Sequence, residues 1–129
     1  MDYEGNTLAE QNIKGVVILP DTINSIAEQV FSGCSIKEVF IPEGVTSIKA
    51  GAFMACSELT RISLPESLKI IGEEAFGGCE AASIKVPDGI DQIGASAFYN
   101  VENIEYHGSA KYNKEDKYWG AKTMNKTNS

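Results

Sequence analysis

The chain has 129 residues, 11 Lys plus Arg against 18 Asp plus Glu for a formal charge of −7, three cysteines and one histidine. This length suits one ordinary domain, and 43% apolar with 22% charged residues is the make-up of a folded globule rather than a disordered tail. The acid excess argues against a surface built to neutralise nucleic-acid phosphates or an anionic bilayer, so neither nucleic acid nor membrane insertion is expected.

At the start, Asp2, Glu4 and Glu10 stand without a basic residue, the wrong charge for a secretory leader, and no signal peptide is read there. The apolar run at 16–19 is four residues long and that at 52–56 five, where a membrane span needs about 20. Residues 1–12 are read as an N-terminal cap.

From residue 13 a pattern recurs. Pro20, Pro42, Pro65 and Pro87 are spaced by 22, 23 and 22 residues. Phe31, Phe53, Phe76 and Phe98 keep the same step, as do Cys34, Cys56 and Cys79, with Val101 in the fourth place. Before each proline stand two alternating hydrophobes, such as Ile62 and Leu64; after it come two more, three and six residues on, such as Leu68 and Ile71. A fixed period of this length is the signature of a stacked solenoid, in which each unit buries its apolar edge against its neighbours.

The unit has a physical reading. The I-x-[IL]-P segment alternates with period two, so it is a short strand stopped by a residue that cannot donate the next ladder bond. Asp-Thr, Glu-Gly, Glu-Ser and Asp-Gly after the four prolines have turn chemistry. Residues 72–76 and their equivalents read as one helical or tighter turn with Phe driven inward. Gly33, Ala55, Gly78 and Asn100 precede the cysteine position; glycine and asparagine suit a positive φ at a turn exit, and Ala55 is the misfit.

Stacked parallel, such units form a rod whose strands lie about 4.8 Å apart. The repeat breaks after Tyr106, where His107-Gly108 replaces the proline, and Tyr112, Tyr118 and Trp119 come next without the period. The reading is therefore a solenoid of about four repeats over 13–108, with a C-terminal cap and loose tail over 109–129. Charge divides along the same line: residues 1–110 hold 16 acids and 6 bases, whereas 111–129 hold 5 lysines and 2 acids.

The pattern I-x-[IL]-P-[DE]-x-[VI]-x-x-I-x-x-x-A-F-x-x-C, seen from Ile62 through Cys79, resembles the BspA-like, or Treponema-type, leucine-rich repeats. Tyr106 to Ala110 followed by Trp119 to Lys122 is similar to a closing segment found in that family. The resemblance implies a right-handed leucine-rich repeat superhelix with a parallel sheet on its concave side. It also implies a bacterial cell-surface or secreted setting in which such modules bind host or neighbouring-cell proteins, and it carries no catalytic motif.

Candidate sites arise from the repeat. Outward positions on the concave strands are Ile18, Phe40, Ser63, Lys85 and Glu105, with Lys37, Glu38 and Arg61 beside them. Ile18 and Phe40 on adjacent turns expose an apolar spot of the kind found at interfaces. Asp21, Glu43, Glu66 and Asp88 recur at one position and form an acidic rim, open to three readings: solvated turn residues, a calcium site, or a basic partner's contact. The cysteines are read as reduced and inward-facing, packing as small hydrophobes. One histidine and no C-x-x-C leave no familiar transition-metal set, and no cofactor is expected. His107 is read as a surface or cap residue, and the Asn125-Lys126-Thr127 triplet as incidental. No acid, base and nucleophile converge in this reading, so a non-enzymatic protein-binding module is expected, with an intracellular scaffold self-associating through its solenoid ends as the alternative.

Overall fold

The computed structural model describes residues 14–125; the expectations for 1–12 and for the tail past 125 lie outside them. Ten strands succeed one another: β1 (Lys14–Ile18), β2 (Ser25–Ile26), β3 (Ser35–Phe40), β4 (Ser47–Ile48), β5 (Arg61–Ser63), β6 (Ile70–Ile71), β7 (Ser83–Lys85), β8 (Gln92–Ile93), β9 (Asn103–Glu105) and β10 (Thr123–Asn125). Odd strands and β10 form a six-stranded parallel sheet in the order β1-β3-β5-β7-β9-β10, and β2-β4-β6-β8 form a second sheet of four. The chain is thus a parallel solenoid, and each of the first four turns contributes one strand to each sheet.

The register follows the repeat. Val17, Val39, Ile62, Ile84 and Ile104 are successive partners in the large sheet, and Ile26, Ile48, Ile71 and Ile93 in the small one. With a side-chain period of two, this register turns the aliphatic residues into one interior. The third side of each coil has no strand. Its turns are joined by backbone bonds from Phe31 to Ala52, Phe53 to Ala75, Phe76 to Ala97 and Phe98 to Trp119, at 2.7–2.9 Å.

The phenylalanines form a continuous stack. Ring centroids lie 5.1, 5.4 and 5.7 Å apart from Phe31 through Phe53 and Phe76 to Phe98, with planes within 6° of parallel. Full burial of such a ring contributes about 2–3 kcal/mol, and the ring pairs about 0.5–1.5 kcal/mol beyond that. Beside them run Cys34, Cys56 and Cys79, all buried and without a disulfide. The Cys56 thiol donates to the Phe31 carbonyl (3.0 Å) and Cys79 to the Phe53 carbonyl (3.1 Å). Each of these two thiols thus packs as a hydrophobe and ties its turn to the previous one.

The turn expected at 72–76 is tight but not helical. Ala75 N–H donates to Gly72 and Gly77 N–H to Glu74, each across three residues, while Glu74 sits at φ +54°. A left-handed residue cannot continue an α-helix. Gln29, Gly51 and Ser96 repeat that conformation in the other turns. At the exits Gly33, Ala55, Gly78 and Asn100 are all left-handed, Ala55 at +62°, so the misfit residue is held in the conformation its glycine neighbours adopt freely. Gly72 answers a different demand: a Cβ there would stand 2.6 Å from the Ala50 nitrogen, because adjacent turns touch backbone to backbone.

The segment after 108 remains part of the ladder. β10 pairs with β9 in parallel, Thr123 to Asn103 and Asn125 to Glu105, and Tyr106 N–H donates to Asn125. The period is lost because this turn is built differently. A 3-10 segment, Lys114–Gly120, carries Tyr118 and Trp119 at φ +54° and +53°. The Trp119 ring meets Phe98 edge-on (6.5 Å, 77°) and Tyr106 likewise (5.7 Å, 78°), which ends the face-to-face stack.

Candidate functional site

Period-two alternation turns one side of the six-stranded sheet outward. Ile18 is 77% exposed and lies beside Phe40, 40% exposed, which lies beside Ser63. The register carried on from Ile62–Ile84 places Lys85 next, and Lys85 pairs with Glu105. Ile18, Phe40, Ser63, Lys85 and Glu105 therefore form one row across the strands, in keeping with the sequence pattern. The row grades from aliphatic and aromatic at one end to charged at the other.

A parallel row holds Val16, Glu38, Arg61, Ser83, Asn103 and Thr123. Glu38 and Arg61 join adjacent turns through an ion pair of 3.4 Å. At this exposure such a pair contributes only about 0.2–1 kcal/mol, so both side chains remain available to a partner. Val16, 56% exposed, is absent from the residues that sequence reasoning singled out. It extends the apolar spot to three side chains, and the alternation of 14–18 held the signal.

Lys37 departs from this surface. The β1–β3 register shifts between Gly15 and Val16, pairing Gly15 with Ile36 and Val16 with Glu38, so Lys37 sits in the bulge. It lines a shallow depression with Lys14 and Glu58 at the sheet's entry edge, away from Phe40. An extra residue in one strand re-aims the local side chains, and sequence periodicity does not reveal it.

The acidic rim is solvent-accessible at all four positions. Glu43 also holds the coil together, because its carboxylate accepts from the backbone N–H of Glu66 (2.9 Å) and of Ser67 (3.3 Å), clamping the turn of the next coil. Glu66 and Asp88 line a groove shared with Lys85, Glu105 and His107, where the outward row meets the rim. His107 is part-buried and contacts Glu105 at 3.4 Å. Among the described residues no three His, Cys, Asp or Glu side chains converge as a metal cluster, and no helix is long and apolar enough to cross a membrane.

The thiols are not placed for chemistry. Burial pushes Cys34 up to about 11, and Cys79 is raised further, first through its bond with Cys56 and then by burial. A nucleophilic cysteine needs a lowered pKa and access; Cys34 and Cys79 have raised values, and Cys56, lowered by its contact with the Cys79 thiol, is fully buried.

With the coil and its outward face described, the class is defined: a leucine-rich repeat solenoid, an architecture that serves typically as a non-catalytic protein-interaction module. Residues 7–106 match the BspA type leucine rich repeat region in six copies, and the chain belongs to that family. The six copies exceed the four proline-marked units, as do the six strands of the large sheet.

Three solved structures share the fold. A leucine-rich repeat protein from Bacteroides capillosus is 25% identical, with a TM-score of 0.65 over 72% of this chain and 77% of that one. The pneumococcal vaccine antigen PcpA is 26% identical, with a TM-score of 0.66 over 73% of this chain and 24% of that one. The leucine rich repeat protein of T. pallidum, TpLRR, is 24% identical, with a TM-score of 0.52 over 70% and 57%. The chain thus corresponds to about a quarter of the pneumococcal antigen. No curated protein matches it in sequence.

Proposed function

We propose that this chain is a non-enzymatic protein-binding module of a bacterial cell-surface or secreted adhesin-like protein, with the outward face of the six-stranded sheet as its contact surface. The observation that carries the reading is the apolar spot of Val16, Ile18 and Phe40 on adjacent strands. Contiguous exposed aliphatic and aromatic side chains with a polar surround are what an interface core requires. Ser63, Arg61, Lys85 and Glu105 form that polar surround and set specificity more than affinity. Membership of the BspA type and the likeness to a vaccine antigen support the surface setting.

The test is a binding screen of the chain against host matrix proteins and cell surfaces, repeated with Phe40→Ala. Loss of a captured partner, with stability changed by less than about 0.5 kcal/mol, supports the face. Unchanged capture moves the contact elsewhere. Concentration-dependent self-association without any captured partner supports the scaffold reading instead.

A further inference from the structure

The small sheet stops at β8, whereas the large one goes on through β9 and β10. In the small sheet each turn offers two backbone carbonyls to the next. Asn24 and Ile26 accept from Thr46 and Lys49, Thr46 and Ile48 from Lys69 and Gly72, and Lys69 and Ile71 from Asp91 and Gly94, at 2.7–3.0 Å. The next pair, the carbonyls of Asp91 and Ile93, meets no donor among the described residues.

The cause lies in the sequence. Counted from His107 at the proline position, the apolar places three and six residues on, the second of them in the small sheet, fall on Ala110 and Asn113. Asparagine thus stands where Ile26, Ile48, Ile71 and Ile93 stand in the earlier turns. The chain leaves the ladder accordingly: Ala110 N–H goes to the Tyr106 hydroxyl (2.7 Å), and the 3-10 segment begins at Lys114. Ile93 is left half-buried, whereas its three predecessors are buried. A groove opens between β8 and the Ala110–Lys111 segment, lined by Ile71 and Ile93 and flanked by Ile70, which is 43% exposed.

We infer that the open edge of β8 is a docking site for one extended strand of a partner protein. The fold itself specifies the occupant. It must offer two backbone N–H groups three residues apart to the carbonyls of Asp91 and Ile93, with a large aliphatic side chain between them resting on Ile93, as Thr46, Ile48 and Lys49 do one turn after β2. This is strand addition at a sheet edge, in which the main chain supplies affinity and the side-chain place supplies specificity. A second copy of the solenoid does not qualify. Its β2 arrives in the same coil as its β1, and the position that β1 would need is held by β9. The site is separate from the outward face proposed above and does not depend on it.

The probe is a synthetic heptapeptide with the sequence of residues 22–28, Thr-Ile-Asn-Ser-Ile-Ala-Glu, titrated into the full ¹⁵N-labelled chain. It carries the Asn24 and Ala27 N–H groups around Ile26. Binding is expected to shift the amides of Gln92 and Gly94, whose peptide carbonyls accept. A peptide N-methylated at both donor positions is expected to bind at least about tenfold more weakly. The double substitution Ala110→Leu with Asn113→Ile rebuilds the chain's own strand and is expected to raise Tm and abolish binding. Equal binding by the N-methylated peptide, shifts confined to β1 or β10, or no shifts up to millimolar peptide would overturn the inference, whether or not the double variant folds.

Discussion

The carboxylate of Asp116 accepts from the backbone N–H of Ser96 at 2.7 Å and from its hydroxyl at 3.3 Å. In each earlier turn the equivalent N–H, that of Gln29, Gly51 or Glu74, is received by a backbone carbonyl of the following coil, Ala50, Glu73 or Ala95. A side chain thus replaces the main chain where the last turn leaves the ladder. Asp116→Ala should cost about 1–3 kcal/mol, since a charge-assisted bond is lost and a part-buried donor is stranded. Asp116→Asn, which keeps an acceptor, should cost less. Urea unfolding of the two variants measures the difference.

Ala55 at φ +62° stands where Gly33 and Gly78 stand in the neighbouring turns. Ala55→Gly relieves a left-handed strain of about 1–2 kcal/mol, offset in part by the larger entropy that glycine loses on folding. A net gain of about 0.5–1 kcal/mol is expected, read as a rise in the urea midpoint with an unchanged m-value.

Phe53 is fully buried, with Phe31 and Phe76 stacked on either side. Phe53→Ala removes both contacts and leaves a cavity, for a loss of about 3–5 kcal/mol. Because solenoid turns are coupled to their neighbours, the loss should appear as early hydrogen exchange on both sides of the substituted turn.

Cys34 makes the fold sensitive to alkali. Cys34 is raised by burial to about 11 in the fold, against about 8.5 in an unfolded chain. Between these values the unfolded state has released its proton and the folded state has not, so stability falls as pH climbs through that window. Below about pH 8 both states hold the proton and the effect vanishes. Replacing Cys34 by Val, the residue that stands at position 101, should flatten the profile above about pH 8.5. In the native protein the thiols should react slowly with an aromatic disulfide reagent, and all three should appear on denaturation.

Much of this architecture was legible in the sequence because the repeat writes each constraint four times. The inward columns, the Phe step and the left-handed exits at Gly33, Ala55, Gly78 and Asn100 all follow from residues recurring in register. The last turn was harder to see, since its ladder place is kept by β10 and by the Asp116 side chain, neither of which has the repeat's spacing. The second left-handed column hid for a related reason: Gln29, Glu74 and Ser96 occupy it without the glycine that would mark it. On the outward face the row from Ile18 to Glu105 was visible from alternation alone. Lys37 was misaligned with it because a bulge shifts register without altering the period.

The most direct test of the proposed face compares the wild-type chain with an Ile18→Ser, Phe40→Ala double variant for binding to a panel of purified matrix proteins and intact cell surfaces. Unfolding of both proteins is measured alongside. The account predicts a partner whose affinity falls at least about tenfold, while stability changes by less than about 1 kcal/mol. A partner bound equally by both chains, or a variant that loses several kcal/mol of stability, would contradict it.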